Sequence, residues 1–400
     1  MRVVHCITGL SGDGAQKMLL RLAERLERRG VSNVVVSLSD REPLADAFEA
    51  RGIPVHSLNL SSGIRGMVAL LRLRTLLNDL APNVLQGWMY HANLMMTLAR
   101  PLLKRNVPLL WNIRRGTDDF RERKLSTRLV ISANRHLSSY ADRIVHCTHT
   151  CRSQHEAIGF SAHNGVVIGN GFDVERLAAS SEMRHMARQR YGVSESEILI
   201  GSIGRDDTAK GRTYLISALS QVIKRIPNAR LMLVGRGMSE ANPELRRLLV
   251  SSGVASRVIL VGEYSPIVDL YSALDILCSS SVVEGFSNVL GEAMCCEVPC
   301  VATDVGNARE LLDGVGIVVP PRSSLYLAEA LVSMCEEGAD ARRARGARAR
   351  TRISEGYSLD SVTDQYVSLY GEVAFQGLVS RGTRLEEMGA SSDFSTTQRI

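Results

Sequence analysis

The chain has 400 residues, 45% of them hydrophobic, a mean hydropathy near zero and a formal net charge of +6. This length is enough for two or three domains, and this composition excludes an intrinsically disordered protein. The sequence has no run of about 18 apolar residues, so no membrane-spanning helix is predicted. The N-terminus lacks the pattern of a secretory signal and the eight cysteines are scattered, so we expect a cytoplasmic protein.

The charge is unevenly distributed along the chain. Residues 1–180 contain 24 Lys and Arg against 15 Asp and Glu, a net charge of +9, whereas residues 181–400 contain 24 against 27, a net charge of −3. Residues 100–135 contain ten basic and three acidic residues. Such a region suggests an anionic partner, either lipid head groups, a pyrophosphate-bearing substrate or nucleic acid, with a merely solvated basic face as the alternative.

Apolar segments of strand length alternate with amphipathic segments over the first half of the chain. The predicted strands are RVVHCIT, VSNVVVSLS, IPVHSLNL, NVLQGWM and VPLLWNIR. The predicted helices between them are GAQKMLLRLAERLERRG, EPLADAFEARG, IRGMVALLRLRTLLNDLAP and HANLMMTLARPLLKR. This alternation, with Gly or Pro at many helix ends, predicts a parallel sheet covered on both faces, which is a doubly wound domain.

The same alternation restarts after the segment VVIGNGFDVERL and a polar stretch, with ILIGSIG as a new first strand. We therefore predict an α/β fold with two doubly wound, Rossmann-like domains over residues 1–180 and 190–355. A helix is expected over residues 356–375. The periodicity is lost after Phe375, so residues 376–400 are expected to form a disordered tail.

One segment, HCTHTCRSQH, concentrates potential metal ligands: His146, Cys147, His149, Cys151 and His155. Its spacing matches no tetrahedral zinc signature, and the segment lies where a predicted strand turns into a helix. A structural strand end is therefore favoured, and no metal site is predicted.

The loop after the first strand, GLSGDGA, contains Gly12 and Gly14 and opens a helix. Glycines at this position let backbone N–H groups approach a ligand, and a helix N-terminus favours an anion. The loop lacks the full G-x-G-x-x-G spacing, and only an ambiguous acidic residue follows the second strand. A dinucleotide-dependent oxidoreductase is therefore poorly supported.

Two cations lie on the loop after the first strand of the second half. Arg205 and Lys210 are five residues apart in GRDDTAKG. They can converge on a diphosphate, Arg through its planar fork and Lys as a point charge. Exposed cations on loops are also common without a function, so this motif alone leaves both interpretations open.

Two carboxylates lie on either side of a predicted helix start in EGFSNVLGEAM. Glu284 is expected on a strand-to-helix loop, Ser287 is a plausible N-cap, and Glu292 falls inside the helix. The free N–H groups between the two carboxylates suit a phosphate, which the carboxylates would repel unless they bind hydroxyl groups. The predicted ligand is therefore a nucleotide sugar.

In combination, the glycine-rich loop, NGFD, GR-x4-KG and E-x7-E resemble the retaining glycosyltransferases of family four. The resemblance extends over nearly the whole chain. It implies the GT-B fold, in which two Rossmann-like domains face a cleft, with the helix over residues 356–375 crossing back to the first domain. The stretches GWMYHANLM and LLWNIRRG are similar to a subgroup that acts in bacterial surface-polysaccharide assembly.

The resemblance also implies roles for single residues. Arg205 and Lys210 would bind the donor diphosphate, Glu284 the hydroxyls of the donor sugar, and Glu292 the ribose. The remaining donor-binding residues would act through the two loops that face the sugar and the phosphates: Gly12, Gly14, Phe286, Ser287, Asn288 and Val289.

The chain departs from the family pattern at one position. Many members have a His near the end of an N-domain strand that lies over the donor sugar, whereas the comparable strand here is followed by Arg114. His91, in WMYHAN, is the alternative. Both residues are candidates for the acceptor side of the site.

The resemblance implies sugar transfer with retention, from a donor that is UDP-linked by family habit, without a metal or another cofactor and without a protein nucleophile. The expected acceptor is a lipid-linked saccharide in exopolysaccharide, O-antigen or capsule assembly. Together with the basic first half, this predicts a peripheral protein at the inner face of the cytoplasmic membrane and no nucleic-acid partner. The alternatives are a GT-B nucleotide-sugar epimerase and a non-catalytic protein that binds anionic lipid or nucleic acid.

Overall fold

The computed structural model describes residues 1–60, 66–117 and 124–390, with residues 377–390 described by their backbone alone. The strands of the first domain are β1 (Arg2–Ile7), β2 (Ser32–Ser37), β3 (Val55–Ser57), β4 (Val84–Trp88), β5 (Leu109–Ile113), β6 (Arg143–His146) and β7 (Gly165–Val167). They form one parallel sheet in the order β3-β2-β1-β4-β5-β6-β7. Its helices are α1 (Gly14–Arg28), α2 (Leu44–Glu49), α3 (Gly66–Leu80), α4 (Met89–Ala99), α5 (Leu125–Leu137) and α6 (His149–Ala157).

The second domain repeats this architecture. Its strands are β8 (Ile198–Ile203), β9 (Ala229–Val234), β10 (Val258–Gly262), β11 (Ile276–Ser279), β12 (Cys300–Thr303) and β13 (Ile317–Val319), in the order β10-β9-β8-β11-β12-β13. The helices are α7 (Ser181–Arg190), α8 (Arg212–Arg225), α9 (Pro243–Ser251), α10 (Val268–Ala273), α11 (Asn288–Cys295), α12 (Ala308–Leu312), α13 (Ser324–Glu336), α14 (Ala339–Gly356) and α15 (Leu359–Ala390). All strand pairs are parallel, so the predicted α/β fold of two doubly wound domains is confirmed.

The strand order places the crevices where ligands bind in such folds. In the first sheet β1 lies between β2 and β4, and in the second sheet β8 lies between β9 and β11. The order reverses at these points, so the loops at the carboxyl ends of β1, β8 and β11 open onto a crevice. The glycine-rich loop follows β1, GRDDTAKG follows β8, and EGFSN follows β11.

The second domain begins earlier than the predicted residue 190. Helix α7 packs against α10, and its buried Arg188 bonds through Nη1 to an Asp275 oxygen at 3.1 Å. Since this ion pair lies within the second domain, the domain includes residues from Ser181 onward. The packing of α7 could not be predicted from its polar composition, because its contact with the second domain is made by a buried arginine.

The last helix packs on the first domain. Tyr366 and Tyr370 of α15 are fully buried, and the Tyr366 hydroxyl accepts a bond of 2.8 Å from Asn112 Nδ2 at the end of β5. The helix continues to Ala390, so residues 376–390 are helical rather than a disordered tail, and residues 391–400 lie outside the described part of the chain. Leu, Arg and Glu, all good helix formers, each occur twice over residues 376–390, although the same stretch contains three glycines. Among the described residues, no helix combines the length and the apolar character needed to span a membrane.

Candidate active site

The loop between β11 and α11 is held from inside its own domain. Ser287 occupies the N-cap position of α11 with an extended backbone, but its side chain makes no capping bond within the described structure. Its backbone N–H instead donates to Asn307 Oδ1 at 2.9 Å, and Asn307 is buried. The predicted N-cap position is therefore correct, while the bond that stabilises the loop comes from a residue that the sequence pattern did not suggest.

Lys210 and Glu284 form an ion pair at the carboxyl ends of β8 and β11. Lys210 Nζ contacts Glu284 Oε1, which also accepts a hydrogen bond of 3.0 Å from Ser281 Oγ. The two side chains are 29% and 15% exposed and line one cavity, together with Val289 at the start of α11. A cation and a carboxylate thus lie next to a helix N-terminus, which can bind an anion and a hydroxyl-bearing group side by side.

A glycine allows these two loops to approach. Gly211 has φ of +63°, and a Cβ at this position would lie 2.0 Å from the carbonyl oxygen of Ser280. Ser280 Oγ in turn donates to the Lys210 carbonyl oxygen at 2.9 Å. A side chain at residue 211 would push the β8 loop away from the β11 loop, so the Lys-Gly dipeptide of the motif places Lys210 beside Glu284.

Arg205 lies on the same loop but is paired elsewhere. Its Nε donates to Asp207 Oδ2 at 3.0 Å, and its side chain is 52% exposed. The hydrogen bond from the Ala209 N–H, followed by the contact with Arg205, lowers the pKa of Asp207. In this state the structure joins Lys210 to Glu284 and Arg205 to Asp207.

Glu292 lies inside α11 and faces the first domain. Its Oε2 accepts a bond of 3.0 Å from the Tyr271 hydroxyl, and its Oε1 is 3.8 Å from Arg21 Nη2 on α1. Burial raises the pKa of the Glu292 carboxyl, while the nearby cations oppose the shift. Tyr271 and Arg21 were not predicted as part of the site, because only the tertiary structure brings these side chains of α10 and α1 near Glu292.

The glycine-rich loop faces the start of α11. Gly12 has φ of +106°, and a Cβ on Gly14 would lie 3.5 Å from Asn288 Nδ2. Asn288 Oδ1 accepts a bond of 2.8 Å from Asn170 Nδ2 in the NGFD segment. The starts of α1 and α11 therefore approach each other across the interface of the two domains, while the predicted contact of Gly14 with the donor phosphates stays a prediction.

The Phe286 side chain is directed away from a ligand role. It is buried, with ring centroids 6.1 Å from Phe172 and 6.5 Å from Tyr357. On its N-terminal side, a Cβ on Gly285 would lie 3.0 Å from the Arg114 carbonyl oxygen, so the EGFSN loop also touches the first domain. This burial of the side chain is compatible with the prediction that Phe286 contributes backbone groups to the site.

The two acceptor-side candidates differ in their surroundings. The Arg114 guanidinium is buried, donates to the Ile168 carbonyl oxygen at 2.7 Å and lies 5.5 Å from the Trp88 ring. It also bonds to the Tyr366 hydroxyl, so these contacts tie β5 to α15. His91 is half-buried in the first turns of α4, and burial lowers its pKa. The Arg114 guanidinium is therefore engaged by protein groups, and the acceptor-side role of His91 stays a prediction.

Two family models match the two halves of the chain. Residues 13–171 match the model described as "Glycosyl transferase 4-like domain", and residues 197–337 match the model described as "Glycosyl transferases group 1". The chain belongs to the group 1 glycosyltransferases. The family predicted from the motifs is confirmed.

Relatives and solved structures agree with this membership. The group 1 glycosyltransferase is 26% identical to N-acetyl-alpha-D-glucosaminyl L-malate synthase of Bacillus anthracis, over 50% of this chain and 51% of the relative. It is 27% identical to phosphatidyl-myo-inositol mannosyltransferase of Mycobacterium tuberculosis (strain ATCC 25618 / H37Rv), over 91% of this chain and 94% of the relative. The matches to five curated relatives, the Bacillus protein among them, span only 51% to 60% of their lengths.

The crystal structure of Anabaena HepE in complex with UDP superposes with a TM-score of 0.82. It is 22% identical and covers 93% of this chain and 100% of that one. The structure of WaaG, a glycosyltransferase involved in lipopolysaccharide biosynthesis, superposes with a TM-score of 0.67 at 18% identity, over 92% of this chain and 99% of that one. At these identities the likeness concerns the fold, and the predicted GT-B fold is confirmed.

The histidine and cysteine segment of the glycosyltransferase extends from the end of β6 into α6. The side chains of His146, Cys151 and His155 are buried, and their potential ligand atoms lie within 4.8 Å of one another. His155 Nδ1 is bonded to the Cys151 carbonyl oxygen at 2.7 Å, and His155 Nε2 to the Tyr90 hydroxyl at 2.8 Å. Since protein groups occupy both ring nitrogens of His155, the geometry agrees with a structural strand end.

Proposed function

We propose that this protein transfers a sugar, with retention, from a UDP-linked nucleotide sugar to a saccharide acceptor. The observation that carries the proposal is the Lys210–Glu284 pair beside the start of α11, at the carboxyl edge of the second sheet. The UDP complex of the structurally similar HepE supports the choice of nucleotide.

The chemistry follows from where negative charge develops. As the acceptor hydroxyl forms a bond to the anomeric carbon and passes its proton to the leaving phosphate, the bond between the sugar and the diphosphate breaks and negative charge accumulates on that phosphate. Lys210, the N–H groups of α11 and a reoriented Arg205 stabilise that charge. Glu284 binds hydroxyls of the sugar and Glu292 those of the ribose. We assign no protein nucleophile and no metal to this reaction.

A screen of nucleotide sugars by thermal unfolding tests the donor. We expect UDP-sugars to raise the Tm by about 2–6 °C at a hundredfold excess over Kd, because a ligand that binds only the native state stabilises it. GDP-mannose and ADP-glucose serve as control ligands, because they are nucleotide sugars with a different base. A rise in Tm with these ligands and not with UDP-sugars would contradict the UDP assignment.

Product analysis without acceptor separates transfer from epimerisation, since an epimerase converts the donor alone.

We further propose that the acceptor is a lipid-linked saccharide of bacterial surface-polysaccharide assembly and that the protein acts at the inner face of the cytoplasmic membrane. A mixed apolar and basic surface on the first domain supports this. Helix α4 contacts both α3 and α5. The large apolar side chains exposed on α3 and α5 are Met67, Val68, Leu71, Leu125 and Leu129. Among the described residues, the exposed cations on and between these helices are Arg72, Arg74, Lys104, Arg105, Arg115, Lys124, Arg128 and Arg135.

Vesicle binding tests the membrane proposal. We expect the protein to sediment with vesicles that contain phosphatidylglycerol, and to be released by salt, since each cation near an anionic surface contributes about 1 kcal/mol. Leu71→Glu should weaken binding several-fold, because it adds a charge to an exposed apolar side chain of α3. Val250→Glu is the matched control, since Val250 is 70% exposed on the second domain. The proposal would be contradicted if the wild type sedimented to the same extent with and without anionic lipid and at low and high salt.

A further inference from the structure

A cation of the first domain reaches a donor-binding carboxylate of the second. Arg21 Nη2 on α1 lies 3.8 Å from Glu292 Oε1 on α11, and the two side chains are 38% and 16% exposed. The pair is a direct side-chain link between the two domains, as is the bond of Asn170 to Asn288 at the start of α11. The state of Glu292 therefore depends on a residue outside its own domain.

The groups around Glu292 determine what can change its charge. The titratable or charged residues near it are Lys17 and Arg21 on α1, Tyr271 on α10, Cys295 on α11, Cys296 directly after α11, Arg350 on α14 and Asp173 after β7. Burial raises the pKa of both thiols to about 12 and that of Tyr271 well above its usual value, so these three groups are neutral between pH 5 and 8. Asp173 is engaged by Arg25 at 3.4 Å.

Arg350 does not compensate Glu292 directly. Its guanidinium donates to the carbonyl oxygens of Cys295 and Val174, the latter at 3.0 Å. Arg21 and Lys17 are thus the cations that act on the carboxylate from across the interface. Because an opposite charge within about 4–6 Å favours the ionised form of a carboxyl group, Arg21 opposes the effect of burial.

We infer that Arg21 is a positioning residue for donor binding: it keeps Glu292 ionised and oriented so that both ribose hydroxyls can donate to the carboxylate. The inference rests on the proposed function of Glu292. A protonated carboxyl has lost one acceptor position and presents a donor to the ribose, so affinity falls as Glu292 becomes protonated. Through Arg21, the affinity of the second domain for the nucleotide is coupled to the presence of the first domain beside it.

The raised pKa of Glu292 determines the direction in which donor affinity changes with pH. Burial raises the pKa of Glu292, so donor affinity is full above that pKa and falls as the pH decreases through it. Removal of the Arg21 charge raises the pKa further, and the acid limb of the affinity profile then moves to higher pH. On that limb we expect Arg21→Ala to bind the donor more weakly than the wild type, by up to about tenfold, and to bind it nearly as tightly at pH 8.

Titration calorimetry with UDP-glucose between pH 5 and 8 tests the inference, because this ligand has no phosphate ionisation in that range. We expect Arg21→Ala to move the acid limb upward and Arg21→Lys to restore it. Glu292→Gln should bind more weakly throughout and lose this limb. Arg28→Ala is the matched control, since Arg28 lies on the same helix, is 55% exposed and pairs with Glu24 at 2.8 Å.

The outcomes separate the inference from the proposed function. If the wild type binds neither UDP-glucose nor any UDP-sugar of the thermal screen, the UDP-linked donor is wrong and the inference falls with it; if it binds another UDP-sugar, that ligand replaces UDP-glucose in the titrations. If the wild type binds and Arg21→Ala has the wild-type pH profile, the inference alone is overturned. An equal loss of affinity at every pH in Arg21→Ala, not restored by lysine, would show a structural contact and would also overturn it.

Discussion

Replacing Lys210 by alanine is expected to lower kcat for sugar transfer by at least about a hundredfold, a loss typical of removing one group that stabilises developing charge. Lys210 Nζ is the cation next to Glu284, and both line the cavity at the start of α11. Without the lysine, the leaving diphosphate loses its point charge. The half-buried Glu284 carboxylate would also repel the phosphate instead of being neutralised.

The measurement is the initial rate of transfer, with the Tm of each variant recorded in parallel. Lys224→Ala is the matched control, because this lysine is exposed on α8 of the same domain. Glu284→Gln keeps the shape of the side chain but removes its charge, and we expect it to lose transfer while remaining folded. Wild-type rates in the Lys210→Ala or Glu284→Gln variants would show that the pair does not belong to the active site.

The second large effect is expected from Gly291→Ala, which should lower the free energy of unfolding by about 1–3 kcal/mol or more. A Cβ at residue 291 would lie 2.0 to 2.5 Å from three carbon atoms of the Phe172 ring. Phe172 is fully buried and follows the last strand of the first domain, so α11 and this segment would have to separate. Since α11 carries Glu292, donor affinity should fall as well.

Thermal unfolding and nucleotide binding check this prediction. Gly371→Ala is the matched control: it also lies in a helix, and apart from its chain neighbours and the backbone of its own helix, no heavy atom of the described residues lies within 4 Å of the position that the added methyl group would take. There we expect a gain of about 0.4–1 kcal/mol, because alanine has the higher helix propensity. The smaller side chain in Phe172→Leu should partly rescue Gly291→Ala. An unchanged Tm in Gly291→Ala would show that α11 and the Phe172 segment tolerate separation.

Much of the fold could be predicted because its determinants are local and periodic. Strands buried on both faces must be apolar along their length, and helices that cover a sheet must be amphipathic. The apolar segment ILIGSIG therefore predicts a strand, and the amphipathic segment TYLISALSQVIKRIP predicts a helix. The motif residues Lys210 and Glu284 could also be predicted, since each follows a recognisable strand. Boundaries that depend on tertiary contacts were missed: α7 is polar, but the Arg188–Asp275 pair places it in the second domain.

The alternation of strands and helices, the division into two domains and the loops that carry the charged residues all follow from the amino-acid sequence alone. The residues that support those loops became apparent only in the folded chain. Asn307 bonds to the N–H of Ser287, Tyr271 bonds to Glu292, and Arg21 approaches Glu292 from the other domain. The physical reason is that these partners are separated by about 20 to 270 positions and carry no periodic signal. Their proximity arises when helices and loops from different strands meet at the carboxyl edges of the two sheets.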